Sequence, residues 1–450
     1  MKDNKEPTYS VGLDIGNSKV CAVAGKLDPG GKITILDYAE TVYDADYEAM
    51  SKGAAKNKGN VTDAIERVLQ ELSQKTNLEI VLTNTNFSSE KISLKSIKQD
   101  LTNDGNKFVV KNYELDELSQ NLKKQLKRDN SKETLHVMPT DFFIDESKVG
   151  KYPKGATGNK LTCIFNAINV DKGKVEEHMQ TFDAVSYEMV EGSKETLNVH
   201  IDQLVYNGVA DALSSITIED KQAGILLVNI GSQLTEITIY KDFGLRYSRV
   251  IGIGSEAIIK DIAQAFNVTE AQAERLMRAS GEKRSKDIEI NEVLEIEGKN
   301  GLPTRQFLQK AVAIVIESRL KEIAALIASD VIESGYARLL ANGIMLAGGI
   351  ARLGLTKMTF QKTFSPLAIR IADGTVNIDI NTKLELAHPK YTTAIGTMLA
   401  SIKPADERMP LGQTAPVKRR MSLGFFSSLP LVNKLRDIFD DPELKRAYGE

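Results

Sequence analysis

Two segments constrain what this chain can fold into more than any other feature. The first is Ser10-Val-Gly-Leu-Asp14-Ile-Gly16-Asn17-Ser18-Lys19-Val-Cys-Ala-Val-Ala24, and the second is Ile225-Leu-Leu-Val-Asn229-Ile-Gly231-Ser232-Gln233-Leu-Thr235-Glu-Ile-Thr-Ile-Tyr240. Each reads as an apolar strand, an Asx-x-Gly turn and a second β-rich strand. The two turns lie 215 residues apart, from Asp14 to Asn229, and a third glycine turn, Gly348-Gly349, follows the apolar run Ile344–Ala347. Two such hairpins and a late Gly-Gly predict a duplicated domain that closes on the phosphate tail of a nucleotide.

The chemistry of the turns supports a phosphate site. Glycine lets backbone N–H groups approach phosphate oxygens, and the side chains of Asn17 and Ser18 add donors. Asp14, at a strand end, can hold a Mg²⁺-bound water. Lys19 faces either a phosphate or solvent. An ordinary hairpin with glycine in a positive-φ turn would also fit these residues, and the second hairpin is what weighs against it. In that second hairpin an amide, Asn229, stands where a carboxylate would serve best, and Ser232 and Gln233 occupy positions that glycine would favour. This predicts impaired hydrolysis and weakened nucleotide affinity. Gly348 and Gly349 would let backbone pass close to an adenine or ribose ring, or would simply form a strand-to-helix turn. Glu317, Arg319 and Glu322 would bond the ribose and flank the adenine, or form a solvated charged face.

At 450 residues the chain is expected to form two or more domains. A net charge of −3 gives no global pull toward nucleic acid. Cys21 and Cys163 lie in β-rich runs without CxxC spacing, which predicts two buried thiols in a reduced, cytosolic protein. The four histidines lack metal-ligand spacing, and no run of apolar residues is long enough to span a bilayer.

Along the chain, strands are expected at 9–14, 19–25 and 32–39, then a helix from Val61 to Leu72 with Asn60 as N-cap. Residues 84–168 change texture to strand, helix, strand, strand, an inserted α+β unit. Helices are expected at 174–183, 200–214, 255–280 and 306–334, with hairpin strands hinted by Ile288, Ile290, Val293 and Ile296. A last helix begins at the Tyr391-Thr-Thr-Ala-Ile-Gly396 segment and ends near Ile402.

Residues 403–423 read as a Pro-rich polar linker. Beyond it Leu431, Val432, Leu435, Ile438 and Phe439 fall on one helical stripe, with Phe425, Phe426 and Leu429 just upstream and the basic triplet Lys418-Arg419-Arg420 behind. A short amphipathic helix over 424–441 on a flexible tether suits an interfacial membrane anchor, or docking on the protein's own body or a partner.

With these residues in view the chain resembles the bacterial cell-division protein family FtsA, of the actin-like ATPase superfamily. The resemblance runs colinearly over residues 8–400. It is carried by Val11–Val20, by Leu135-His-Val-Met-Pro139, Phe143-Ile-Asp145 and Gly155–Leu161 of the insert, by Gly254 and Asp261–Phe266, by Ile316–Ile323, and by Thr393–Gly396. Asn229, Ser232 and Gln233 depart from the family's glycine-rich second motif, and Asn86–Ile92 is much altered.

The resemblance implies an α/β, actin-like (ribonuclease H-like duplicated) fold. Its first domain would be 8–83, completed by 169–215 and 385–402, with an inserted α+β (SHS2-like) subdomain at 84–168. Its second domain would be 216–384, including a peptide-binding subdomain at 255–310. It implies ATP and Mg²⁺ as cofactors, self-assembly into a homopolymer, and membrane lipid bound through the C-terminal helix. It also implies the FtsZ C-terminal peptide as partner, held at the inner face of the membrane on a surface that includes Lys283, Arg284 and Arg305. Those three cations would pair with an acidic peptide or belong to a solvated loop. An actin-fold scaffold of the pilus-assembly type, binding a short peptide of a membrane partner, is the alternative. A sugar- or acetate-kinase-like enzyme is a weaker one.

Overall fold

The computed structural model describes residues 7–43, 48–126, 129–150, 153–188, 196–297, 303–378 and 384–402. The expected linker and the anchor residues Phe425, Phe426, Leu429, Leu431, Val432, Leu435, Ile438 and Phe439 lie outside the described residues.

Two five-stranded sheets share one topology. In the first, Thr8–Ile15, Lys19–Leu27 and Ile33–Val42 form an antiparallel meander, and the free edge of Thr8–Ile15 takes Leu82–Phe87 in parallel, followed by His200–Tyr206. In the second, Ile225–Ile230, Thr235–Lys241 and Gly244–Ile251 form the meander, and Ile344–Ala347 then Ile369–Ile371 add in parallel. The strand orders coincide, so the duplication expected from the hairpins extends to whole sheets.

Ten α-helices occur among the described residues: α1 (Lys58–Thr76), α2 (Asn112–Leu126), α3 (Lys172–Met179), α4 (Asn207–Ser215), α5 (Ile218–Ala223), α6 (Ser255–Phe266), α7 (Glu270–Ser280), α8 (Gln309–Glu333), α9 (Gly354–Thr363) and α10 (Thr392–Ile402). The apolar stripe read for α1, Val61, Ala64, Ile65, Val68, Leu69 and Leu72, is fully buried. Burying each of its larger side chains contributes about 2 kcal/mol. Its N-cap is Asn57, whose side chain accepts from the Asn60 amide, so the helix starts a turn earlier than the sequence pattern indicates.

Three other elements differ from expectation. Residues 200–214 are not one helix: His200–Tyr206 is an edge strand paired with Leu82–Phe87, and only then does α4 begin. A short apolar run bounded by a helix carries no periodicity that separates the two states. The expected 255–280 helix is two, because Asn267 adopts a left-handed conformation (φ 50) and Thr269 opens a capping box with Gln272. Helix α8 starts at Gln309, since Arg305–Leu308 pairs with Val293–Ile296.

The inserted unit begins after Phe87, because Leu82–Phe87 belongs to the first sheet. Its sheet runs Ser147–Val149, Lys132–Ile144, Lys160–Asp171, Ser93–Thr102, all antiparallel. Helix α2 buries Leu115, Leu118 and Leu122 in the core formed with Ile97, Val137, Phe142 and Phe165. The inserted sheet also grips the strand Gly244–Ile251 of the second sheet. The Arg246 guanidinium forks onto the Asp141 carboxylate (Nη2 to Oδ1 3.0 Å), and Asn166 Nδ2 donates to the Leu245 carbonyl at 2.7 Å. Cys21 and Cys163 are buried and unpaired.

Helix α10 packs on the first sheet and on α4. A Cβ on Gly396 would stand 1.7 Å from the Ala210 carbonyl oxygen, and one on Gly12 would stand 2.2 Å from the Met398 nitrogen. Both glycines allow backbones to touch: α10 against α4, and the first strand against α10.

Candidate functional site: two facing hairpins over buried carboxylates

Both turns are closed by the same hydrogen bond. Gly16 N donates to Lys19 O and Gly231 N to Leu234 O, each at 2.9 Å. Neither glycine has positive φ, so the turns do not depend on a left-handed backbone at these positions. Their value is space: a Cβ would come within 3.2 Å of Lys19 O at Gly16 and within 2.9 Å of Leu234 O at Gly231.

The duplicated topology sets the hairpins against each other. Asn17 Nδ2 donates to Gln233 Oε1 at 3.2 Å. The loop at Lys52-Gly53 joins them: Lys52 N donates to Gln233 Oε1 at 2.7 Å, and Gly53 N donates to Asn17 Oδ1 at 3.2 Å. Gly53 holds φ at +82, which the turn requires. Behind the second hairpin, Ser255 N and Glu256 N donate to the carbonyls of Gly231 and Ser232, so the start of α6 is seated on that turn.

Below the turns lie three carboxylates. Asp14, at the end of its strand, accepts from Asn86 Nδ2 at 2.8 Å. Burial pushes its pKa up to about 7, Lys19 pulls it back, and Asp211 adds to the rise. Glu236 faces Asn229 across the second hairpin. It accepts from Ser88 Oγ at 2.6 Å and Asn207 Nδ2 at 3.0 Å. Burial raises it to about 7 against the Ser88 hydrogen bond. Asp211, on α4, accepts from Asn229 Nδ2 at 2.7 Å and from the hydroxyls of Thr392 and Thr393, both at 2.8 Å. Burial raises it to about 6 against those three donors. Asn86 Nδ2 also reaches Asn207 Oδ1 at 3.2 Å, linking Asp14 to Glu236 through two amides.

The sequence pattern singles out Asp14, Gly16, Asn17, Ser18, Asn229, Gly231, Ser232 and Gln233, and the fold brings these together. It does not reveal Asn86, Ser88, Asn207, Asp211 and Glu236. Of these, Glu236 could have been found: a carboxylate alternating into an apolar strand, two residues after the turn, marks a buried acid.

Other predicted positions are engaged elsewhere. Lys19 pairs with Glu40, which also accepts from Lys390 at 2.8 Å. Burial works against the charge on Glu40, yet hydrogen bonds from Lys19 and Lys390 hold it down at about 2. The Lys19 and Lys390 ammonium groups each lie 4.6 Å from the Tyr391 ring centre. Gly348 (φ +92) is packed, since a Cβ there would meet Ile230 O at 2.2 Å, whereas Gly349 opens onto free space.

Arg319 forks onto Asp261 of α6 at 2.6 and 2.8 Å and also reaches Glu322, so it staples two helices together. Glu317 accepts from the Ser285 amide and pairs with Lys321. Lys283 is exposed and Arg284 pairs with Asp287. Arg305 donates to the carbonyls of Phe266 and Asn267, both at 2.6 Å, and lies over the Phe307 ring. It therefore caps the end of α6.

Asp14 fits an ion of the Mg²⁺ kind, which takes one or two carboxylates and completes its octahedron with water and phosphate oxygens. No group of three His, Cys, Asp or Glu side chains arranged for a metal occurs among the described residues.

The fold has a counterpart among solved structures. The PilM-PilN type IV pilus biogenesis complex aligns at TM-score 0.60 and 14% identity, covering 88% of this chain and 99% of that one. The fold, two sheets of one topology with paired hairpins, is of the actin-like class. The family model described as cell division protein FtsA matches residues 226–396. The cell division protein FtsA of Shigella flexneri is 24% identical over 446 residues, 96% of this chain and 94% of that protein. That of Escherichia coli (strain K12) is 24% identical over 403 residues, 86% and 89% of the two chains. Over most of its length the chain is similar to cell division proteins of the FtsA family.

Proposed function

We propose that this protein is a division tether whose assembly is set by a bound adenine nucleotide. In this reading the nucleotide lies between the hairpins of Asp14–Lys19 and Asn229–Leu234, with Asp14 directing Mg²⁺ and Gly349 leaving room beside the base. The observation that carries the nucleotide reading is the face-to-face placement of the two hairpins over Asp14, Glu236 and Asp211. Binding would fix the angle between the domains and so the contacts of a head-to-tail polymer. Hydrolysis would be weak or absent, since Asn229 stands in place of a carboxylate at the end of the first strand of the second hairpin.

The tether would hold the FtsZ C-terminal peptide on the subdomain around Lys283 and Arg284. Arg305, already bonded to two carbonyls, would shape that surface rather than pair with the peptide. The helix expected at 424–441 would bind lipid at the inner face of the membrane, each copy weakly and an array on one polymer firmly. Among the described residues no helix is long and apolar enough to cross a membrane.

A flotation experiment tests the whole reading. Full-length protein, FtsZ and lipid vesicles should rise together, and removal of residues 403–450 should leave both proteins behind. FtsZ that stays at the bottom while the full-length chain floats would refute the tether. The likeness to the PilM-PilN complex favours a second reading, a scaffold for a short peptide of a membrane partner. In that case the chain lacking 403–450 would still float with vesicles that carry such a partner.

A further inference from the structure

We infer that the cleft is matched to a nucleoside diphosphate, and that Gln233 is the residue that discriminates against a third phosphate. This rests on the reading of the cleft as a nucleotide site.

A terminal phosphate held between two facing turns acts as a bridge. Its oxygens accept from N–H groups on both sides and keep the domains together. Here a side chain of the protein does this. The Gln233 Oε1 atom accepts from Lys52 N at 2.7 Å and from Asn17 Nδ2 at 3.2 Å, two donors from two segments of the first domain. Asn17 Oδ1 in turn accepts from Gly53 N. The amide pair thus fills the gap between the turns and uses donors that a third phosphate would need.

Charge points the same way. The two lysines beside the hairpins are committed, Lys19 to Glu40 and Lys52 to Glu90 at 3.0 Å. Asp14, Asp211 and Glu236 lie below. An added phosphate charge would meet acids and paired cations, a poor exchange for an uncharged amide that already satisfies the donors. The backbone N–H groups of Asn17, Ser18 and Ser232 donate no hydrogen bond to another described residue. They remain for the oxygens of a shorter phosphate tail entering beside the amide bridge.

The test is calorimetric titration of the full-length protein with Mg-ADP and Mg-ATP, repeated for Gln233→Gly and Gln233→Glu, with circular dichroism as a check on folding. The parent should bind ADP about tenfold or more tightly than ATP. Gln233→Gly should bring ATP to within about threefold of ADP by strengthening ATP binding. Gln233→Glu keeps the acceptor and adds a negative charge, so it should retain the preference for ADP. Equal or tighter binding of ATP by the parent would overturn the inference and leave the nucleotide site standing. So would an unchanged ATP-to-ADP ratio in folded Gln233→Gly. Failure of the parent and both variants to bind either nucleotide would remove the site itself, and the inference with it.

Discussion

Asn229 and Asp211 share a hydrogen bond of 2.7 Å, amide nitrogen to carboxylate oxygen, at the base of the second hairpin. The acid missing from the strand end is therefore present next door, on α4, and the amide at 229 is its donor. A carboxylate at 229 would face a buried carboxylate across the same distance. Asn229→Asp should therefore trap a proton between the two groups and lower stability at pH 8 by about 2 kcal/mol, with a smaller loss at pH 5. Urea unfolding at the two pH values measures this. An equal loss at both would mean that 229 and 211 do not interact through charge.

The second prediction concerns pH. The pKa of Glu236 is raised from 4.5 to about 7 on folding. Between those values the folded chain holds a proton that the unfolded chain has lost. Its contribution is fully present below about pH 4.5 and declines as pH rises to about 7. His178 and His388, both depressed to about 4, act in the opposite sense. The difference between parent and variant isolates Glu236. Glu236→Gln keeps an oxygen for Ser88 and Asn207, so it should be more stable than the parent at pH 8 and gain least at pH 4.5. A stability difference independent of pH would contradict the buried, protonated acid.

Third, Gly396→Ala should be among the most damaging small substitutions in the chain. Its methyl group would collide with the Ala210 backbone, which cannot rotate away as a side chain can. A loss of about 3 kcal/mol or more is expected, read from the urea midpoint. A change under about 0.5 kcal/mol would show that α10 and α4 do not meet at backbone contact.

Fourth, Arg319 should matter for packing and not for nucleotide. Arg319→Ala breaks the fork onto Asp261. It should cost about 1 kcal/mol, as partly exposed pairs do, while leaving ADP affinity unchanged within about twofold. A loss of affinity without loss of stability would return Arg319 to the ribose.

The hairpins were legible because their signal is local: an apolar run, Asp14-Ile-Gly16, and another β-rich run, repeated at Asn229-Ile-Gly231. The layer beneath them was not. Asn86, Asn207 and Asp211 become neighbours of Asp14 and Asn229 only once parallel strands have been added to the meander. Polar residues on a strand end or at the start of a helix look the same whether they face water or one another. The strand His200–Tyr206 was lost for a related reason. Its apolar content satisfies a helix as readily as a strand, and only pairing with Leu82–Phe87 decides between them. Arg319 and Arg305 illustrate the converse, since a charged residue near a motif attracts a ligand role that its own neighbours already fill.

The seating of α10 gives the chain a mechanical property. Whatever pulls on residues 403–450 draws on a helix locked at backbone contact through Gly396. Its first residues, Thr392 and Thr393, hold Asp211, and Asp211 holds Asn229. Tension on the tail would thus reach the base of the second hairpin through side-chain hydrogen bonds, directly from Thr393 to Asn229 and by way of Asp211.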